Sequence, residues 1–191
     1  MARSQRLGAR AQATYRSVTG LVENVHAHAY AHDFIARSPA LAAKLNAIAP
    51  TFFGTTHRGE FQIAVLLIRH LGEPAEARVG TQRRLNSSIA GLLRVSFGPR
   101  DKTVPLGIRQ IRDRIARFSA PILKVVNKLV AHTDLATGIG EESLPTLHRD
   151  QVLHVASLCR EFVRVFESHF GLTPPTDDPT VTMLDELSYC Y

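Results

Sequence analysis

The sequence predicts an all-α protein built as a bundle of long antiparallel helices. Apolar residues recur mostly every three or four positions, the period of a helix that buries one face. Runs of β-branched residues are short and widely separated, so we expect no sheet. With 191 residues, of which 45% are hydrophobic and 21% charged, the chain has the length and composition of one globular domain.

Three helices are expected in the first part of the chain. A long helical region covers about Ser4 to Arg37 and ends at Ser38-Pro39, since the residue before a proline disfavours the helical conformation. A short alanine-rich helix follows from Ala40 to Ile48. The third is expected from Phe52 to Leu71, and its segment from Phe61 to Ile68 is apolar on nearly all sides, which predicts a position at the centre of the domain.

A polar connection and a short helix come next. Gly72-Glu73-Pro74 ends the third helix, and the residues after it predict a loop. Asn86-Ser87-Ser88 offers an N-cap for a short helix that Gly98-Pro99 closes. The last helix is expected from Leu147 to Phe170, with Gly171 as its C-cap.

The helix between these two, Ile108 to Leu129, has the most regular pattern of the chain. Its apolar residues alternate spacings of three and four, as in a coiled-coil seam. They are Ile108, Ile111, Ile115, Phe118, Ile122, Val125 and Leu129. Pro121 lies inside the pattern and is expected to kink or divide the helix. One further step of three residues reaches His132, which is therefore expected on the packed face.

Several classes of protein are excluded by what the sequence lacks. No apolar run approaches the roughly 20 residues of a membrane span. The N-terminal arginines are not followed by the apolar block of a secretory signal, although an organelle transit peptide stays open. Cys159 and Cys190 do not have the spacing of zinc ligands, and their positions do not indicate a disulfide framework. We therefore expect a cytoplasmic protein.

A polar cluster, Asn127, Lys128, His132 and Asp134, ends the seam helix. Lys124, Lys128 and His132 are four residues apart and share one edge of a helix. An imidazole can exchange a proton with a hydroxyl while a cation holds a phosphate, as RNA cleavage through its own 2′-hydroxyl requires. The alternative is a helix end at which His132 and Lys128 bond to terminal carbonyls and complement the helix dipole.

The stretch Val125 to Asp134 resembles the signature of the HEPN superfamily, an arginine and a polar residue followed a few positions later by a histidine on the same helix. Upstream, residues 45–53, 71–74 and 85–89 are similar to the HEPN branch named for abortive-infection proteins of the U type. The likeness covers roughly residues 15–170. The order of these pieces along the chain is more specific than any one of them.

The resemblance implies a helical bundle that dimerises with its two motif helices facing each other across a cleft. Many members are metal-independent ribonucleases of toxin–antitoxin or phage-defence systems, and others have lost catalysis and serve as binding modules. His132 takes the position of the catalytic histidine, Asn127 that of the polar residue, and Lys128 and Asp134 flank them. Neither a metal nor an organic cofactor is expected.

One departure from the signature leaves two hypotheses for the function. Val126 occupies the position of the family's arginine, so either activity is absent or Lys128 or Lys124 substitutes, with Arg114 and Arg117 as further RNA contacts. The first hypothesis is an RNA-binding homodimer that acts as an endoribonuclease and has an antitoxin partner. The second is a catalytically inactive dimeric module that binds protein or nucleic acid.

The charge distribution fits an anionic partner. The formal net charge is +6, and residues 171–191 carry four acidic residues and no basic one. We therefore divide the chain into a basic helical domain, residues 1–170, and an acidic C-terminal tail, residues 171–191. We hypothesise that the tail folds over the basic seam helix and competes with RNA, and the alternative is a solvated end or a packing element.

Two groups in the first helix have other interpretations. His28 and His32 are four residues apart, as metal ligands on a helix would be, but His26 lies on another side and no carboxylate completes the set. We expect no metal site there. Tyr30 and Phe34 come nearest to a base-stacking pair, and we expect both in the core.

Overall fold

The computed structural model describes residues 7–131 and 147–172. These residues form an all-α bundle with one small hairpin, which confirms the predicted fold class. In chain order the elements are α1 (Ala9–Arg37), α2 (Pro39–Ile48), α3 (Pro50–Leu71), β1 (Glu76–Val79), β2 (Gln82–Leu85), α4 (Ile89–Phe97), a 3₁₀ turn (Asp101–Thr103), α5 (Leu106–Ala131) and α6 (Arg149–Phe170). His132, Asp134, Cys190 and all but the first two residues of the acidic tail lie outside the described residues.

The bundle is organised around α1, which packs against α2, α3, α4 and α6. The prediction that α3 lies at the centre is wrong, because its Ile63 and Leu66 are 40% and 46% exposed. The apolar character of α3 misled the prediction, since one of its sides faces away from the rest of the described chain. Within the described chain, no helix is long and apolar enough to cross a membrane.

Polar contacts fix the antiparallel register of α1 and α6. The Tyr15 hydroxyl donates to Glu167 over 2.6 Å, and at the other end the buried Asp33 carboxylate lies 3.0 Å from the Arg149 guanidinium. Burial and the Glu167 carboxylate raise the pKa of Tyr15, so its hydroxyl stays protonated and remains a donor. Both pairs would be lost if either helix slid along the other.

The core is aliphatic and aromatic, and α5 and α6 supply much of it. Phe162 and Phe166 are fully buried, as are Ile108 and Ile122 of the predicted seam. The predicted burial of the seam is confirmed for its described residues other than Phe118, which is partly buried, and the contacts that bury them come from within one chain. Cys159 is also enclosed, and burial raises the pKa of its thiol to about 12.

Pro121 was expected to kink or divide the seam helix, and it does not divide it, because α5 continues through the proline. Proline removes one backbone donor and frees the carbonyl of the residue four positions earlier, Arg117. Pro121 and Arg117 both lie on the exposed side of α5, where water can bond to that carbonyl. The cost of an interior proline is reduced at this position.

A β-hairpin replaces the predicted polar loop. Strands β1 and β2 pair antiparallel with Arg78 opposite Arg83, and Gly80 and Thr81 form the two-residue turn. Gly80 has a φ of 61°, which a glycine adopts without strain. The strands escaped prediction because they are rich in arginine and show no apolar alternation.

The predicted caps are confirmed at α4 and α6. Ser88 Oγ accepts a hydrogen bond of 3.1 Å from the Gly91 amide, as expected of an N-cap. Gly171, with a φ of 62°, is in the left-handed conformation that ends α6. The Ser88 cap fixes where α4 begins, and the Gly171 cap fixes where α6 ends.

Candidate functional site

Helix α5 carries a row of exposed cations along one side. We call Arg114, Arg117 and Lys124 the cationic edge, since all three are exposed and share one side of the helix. Asn127 follows one turn later and is also exposed. The predicted RNA contacts Arg114, Arg117 and Lys124 thus share one accessible side of α5, and Asn127 of the predicted catalytic cluster is about 60° around the helix from Lys124.

The cationic edge borders a groove between α5 and the antiparallel α6. The groove has a volume of about 610 Å³, with Ile111 and Val165 as apolar lining and two arginines and two carboxylates at its sides, namely Arg114, Arg117, Asp113 and Glu161. A volume of this size is within the range of small-molecule pockets. The groove therefore combines an apolar floor with charged walls.

Arg114 and Glu161 form an ion pair across the groove. The Arg114 guanidinium lies 3.3 Å from both carboxylate oxygens of Glu161, and the two side chains are 44% and 46% exposed. Ion pairs in such accessible positions contribute little free energy. Arg114 can therefore exchange this partner for another anion at small cost.

Arg117 is placed differently, against an aromatic pair. Its guanidinium lies 4.7 Å from the centroid of the Phe118 ring, and Phe118 meets His154 of α6 edge to face at 4.6 Å. His154 is exposed. Within the described ranges, no carboxylate lies at ion-pair distance from Arg117 or Lys124. An uncompensated cation beside an accessible aromatic pair can bind an anion and stack on a planar group.

Sequence reasoning missed His154 and Phe118 as members of this site. Phe118 was assigned only to the buried seam, and His154 belongs to no motif. The two rings meet because α5 and α6 run antiparallel, and the spacing within either helix carries no signal of that contact. The accessible part of the site therefore depends on a helix pairing rather than on a motif.

The polar cluster predicted beyond Asn127 cannot be placed. Lys128 lies in the last turns of α5, but its side chain is outside the described residues, as are His132 and Asp134. The predicted catalytic group therefore stays a prediction from the sequence. What the structure adds is the position of its first member, Asn127, beside the cationic edge.

Val126, which stands at the arginine position of the HEPN signature, is part of the core. It is 2% exposed and, nine residues after Arg117, points about 180° away from the cationic edge at roughly 100° per residue. A charged side chain at this position would enter apolar surroundings. Position 126 therefore contributes no charge to the accessible surface of α5.

The histidines of α1 contact different partners. His28 Nδ1 lies 2.5 Å from Glu60, whereas His32 stacks on His57 with ring centroids 4.0 Å apart. Each ring of the stacked pair donates to the other's backbone carbonyl, over 3.0 Å for His32 and 3.3 Å for His57. In the described part of the chain, no group of three side chains is arranged to hold a metal ion.

The placement of Tyr30 and Phe34 in the core is wrong. Their side chains are 37% and 41% exposed, and Tyr30 stacks on His26 with centroids 4.1 Å apart. Both residues lie on a side of α1 that neither α3 nor α6 covers completely. They are separate from the groove, and no cation of the cationic edge contacts them.

We expect Val126→Arg to destabilise the fold and Asn127→Arg to leave it intact. The first places an unpaired charge in the core, at a cost of about 3 to 5 kcal/mol, whereas the second adds a charge at an exposed position. Urea unfolding followed by circular dichroism measures both. Equal stabilities of the two variants would contradict the placement of α5.

We expect the titration of His32 to make the folded protein more stable as pH rises to the ordinary histidine pKa of about 6.5. Burial lowers its pKa, as do the nearby His57 and Arg149, while the His57 carbonyl and Asp33 act in the opposite direction. The unfolded chain therefore binds this proton more readily, and the stabilisation is complete above the ordinary histidine pKa and lost as pH falls below it.

Urea unfolding of wild type and His32→Asn at several pH values tests this prediction. Asparagine retains a donor for the His57 carbonyl but does not titrate, so its free energy of unfolding should change less with pH. An unaltered pH dependence in the variant would show that other groups cause it.

The site is thus an open groove with an accessible aromatic pair and a cationic edge, of which Arg114 is paired with Glu161 and Arg117 and Lys124 have no carboxylate partner among the described residues. Such a combination suits an extended anionic ligand that also carries planar groups. Comparison of the chain with protein-family models, curated proteins and solved structures gives no match.

Proposed function

We propose that this protein binds RNA along the cationic edge and in the groove between α5 and α6, as a HEPN-like helical bundle. The observation that carries the proposal is the position of Arg117, an unpaired cation within the described chain that lies against the ring of Phe118. Nucleic acids present both partners this arrangement suits, because phosphates alternate with flat bases along the strand.

The dimensions of the cationic edge suit a polyanion. Arg114 and Lys124 are ten residues apart, which corresponds to a rise of about 15 Å along a helix. Phosphates on one strand of a duplex are about 3.4 Å apart along its axis, so the cationic edge can contact several of them. Arginine at two of the three positions favours phosphate because its planar guanidinium donates two parallel hydrogen bonds.

The aromatic pair favours a single-stranded segment. A base enclosed in a duplex cannot reach His154 or Phe118, whereas an unpaired base can stack on the exposed imidazole while Arg117 holds a neighbouring phosphate. The apolar lining by Ile111 and Val165 would cover the face of such a base. These contacts support loops or single strands as the bound form of RNA.

We propose in addition that the protein dimerises and cleaves the bound RNA. Because the seam of α5 is buried within one chain, a HEPN-like dimer would bring together the exposed sides of two α5 helices, and RNA between them would neutralise their charge. His132 would exchange a proton with the 2′-hydroxyl, with Asn127, Lys128 and Asp134 around it. An antitoxin protein would be the partner that restrains such an enzyme.

The second candidate is a dimeric module that binds protein or nucleic acid without catalysis. Its support is the burial of Val126, which removes the arginine position of the signature from the accessible surface. Both candidates share the interface on α5 and differ in what His132 does and in whether the bound partner is RNA. Binding and cleavage are therefore tested separately.

For binding, we expect Arg117→Gln/Lys124→Gln to weaken affinity for a fluorescein-labelled single-stranded RNA of about 20 nucleotides by about tenfold or more at 0.1 M salt. The slope of log affinity against log salt should fall by about 1.4, since each lost phosphate contact removes about 0.7 for single strands. Fluorescence anisotropy measures both quantities.

The matched control is Lys44→Gln/Arg58→Gln, which removes two exposed cations from α2 and α3. It changes the net charge equally and lies outside the groove. If the two double variants bind RNA alike, the interface is not on α5.

For cleavage, we expect wild type to degrade RNA in the presence of a metal chelator and His132→Ala to bind RNA without degrading it. Gel analysis of the labelled RNA measures product, and a terminal 2′,3′-cyclic phosphate would identify attack by the 2′-hydroxyl. If wild type and variant are alike, catalysis by His132 is rejected and the non-catalytic module is the better account.

A further inference from the structure

We propose that the β-hairpin and its surroundings form a second nucleic-acid-binding surface, one that contacts the phosphodiester backbone and is not used by the function proposed for α5. We call this surface the hairpin patch. Its members are exposed arginines from three elements, namely Arg10 of α1, Arg78, Arg83 and Arg84 of the hairpin, and Arg94 of α4.

The strand register places like charges side by side. Arg78 is directly opposite Arg83, and side chains of directly opposed residues lie on the same face of a hairpin with their Cβ atoms about 5 Å apart. Like charges in this position destabilise the pairing of two strands. An anion bound between them would remove that repulsion, so the register itself favours occupancy by phosphate.

Few carboxylates neutralise the arginines of the hairpin patch. Glu76 lies on the same face of the hairpin and is shared between Arg94, at 3.1 Å, and Arg83, at 3.9 Å. Over the described part of the chain, Arg10, Arg78 and Arg84 have no carboxylate at ion-pair distance. Arg84 pairs with Ala77 and projects from the opposite face of the hairpin, so Glu76 is one carboxylate beside the four other guanidinium groups, and this side of the surface stays positive.

A cleft beside the hairpin provides space for a nucleic-acid backbone. It lies between the start of α1, the hairpin and α4, has a volume of about 470 Å³, and includes Arg10, Glu76 and Arg94 in its lining. Every cation of the hairpin patch is arginine, whose fork of donors matches the two free oxygens of a phosphodiester. The cleft and the composition together favour backbone contacts over recognition of bases.

The hairpin is held in a fixed position on α4. Asn86 donates its side-chain amide to the Pro74 carbonyl over 2.8 Å, and its backbone amide donates to the Ala75 carbonyl over 2.9 Å. A Cβ at Gly91 would overlap with the carbonyl of Asn86, so only glycine permits this close approach of α4 to the hairpin base. The backbone that carries these arginines is therefore ordered before a ligand binds, which lowers the entropy cost of binding.

The side of α5 that faces the hairpin base is not the side that carries the cationic edge. Arg112 of α5 pairs with Asp101 and lines a cavity with Ala75 and Arg94 near the hairpin base. Two residues later, Arg114 points about 200° away, into the groove with α6. A nucleic acid bound at both surfaces must bend around the bundle, or two strands must bind at once.

The test compares Arg78→Gln/Arg83→Gln with the Lys44→Gln/Arg58→Gln control in the full chain. The probes are fluorescein-labelled single-stranded RNA and DNA of the same sequence and about 20 nucleotides, titrated at several salt concentrations. We expect the hairpin variant to bind both probes about tenfold or more weakly and to lower the salt slope by about 1.4. Both probes are affected because the backbone phosphates are common to them.

Thermal unfolding by circular dichroism confirms that each variant is folded. RNA and DNA binding equal to that of the control would overturn the proposal and would leave a protein partner as the alternative for this surface. Comparison with Arg117→Gln/Lys124→Gln separates the two interfaces. Loss in that variant alone supports α5 and rejects the hairpin patch, and loss in the hairpin variant alone does the reverse.

Discussion

The burial of one face of α5 against the bundle is the constraint on which the candidate site depends. Ile108, Ile122 and Val126 are almost completely enclosed, and a helix cannot turn to expose them without losing about 25 cal/mol for each Å² of apolar surface. The same rotation that buries Val126 turns Arg117 and Lys124 outward. The way α5 packs therefore explains both why the cationic edge is exposed and why no side chain at position 126 is accessible.

The groove next to this edge is set by contacts made elsewhere. Helix α6 is fixed on α1 by Tyr15 with Glu167 and by the buried Asp33 with Arg149. That register places His154 against Phe118. A displacement of α6 by one turn, about 5.4 Å, would separate the two rings. The long antiparallel helices thus act as the scaffold that positions the aromatic pair.

The sequence predicted those parts of the molecule that depend on local pattern and missed those that depend on pairing. The seam of α5 and the cap at Ser88 follow from spacing and residue type. The hairpin was missed because its strands contain opposed arginines instead of alternating apolar residues, and α3 was placed at the centre because composition does not reveal which side a neighbour covers. For the same reason, the sequence did not reveal that His154 of α6 contacts Phe118 of α5.

The central claim is that RNA lies in the groove between α5 and α6, and photo-crosslinking tests it most directly. RNA containing 4-thiouridine would be irradiated with the wild-type protein, and crosslinked peptides would be identified by mass spectrometry. The account predicts crosslinks on the segments that carry Phe118 and His154. Crosslinks confined to the exposed side of α3, around Ile63 and Leu66, would contradict it.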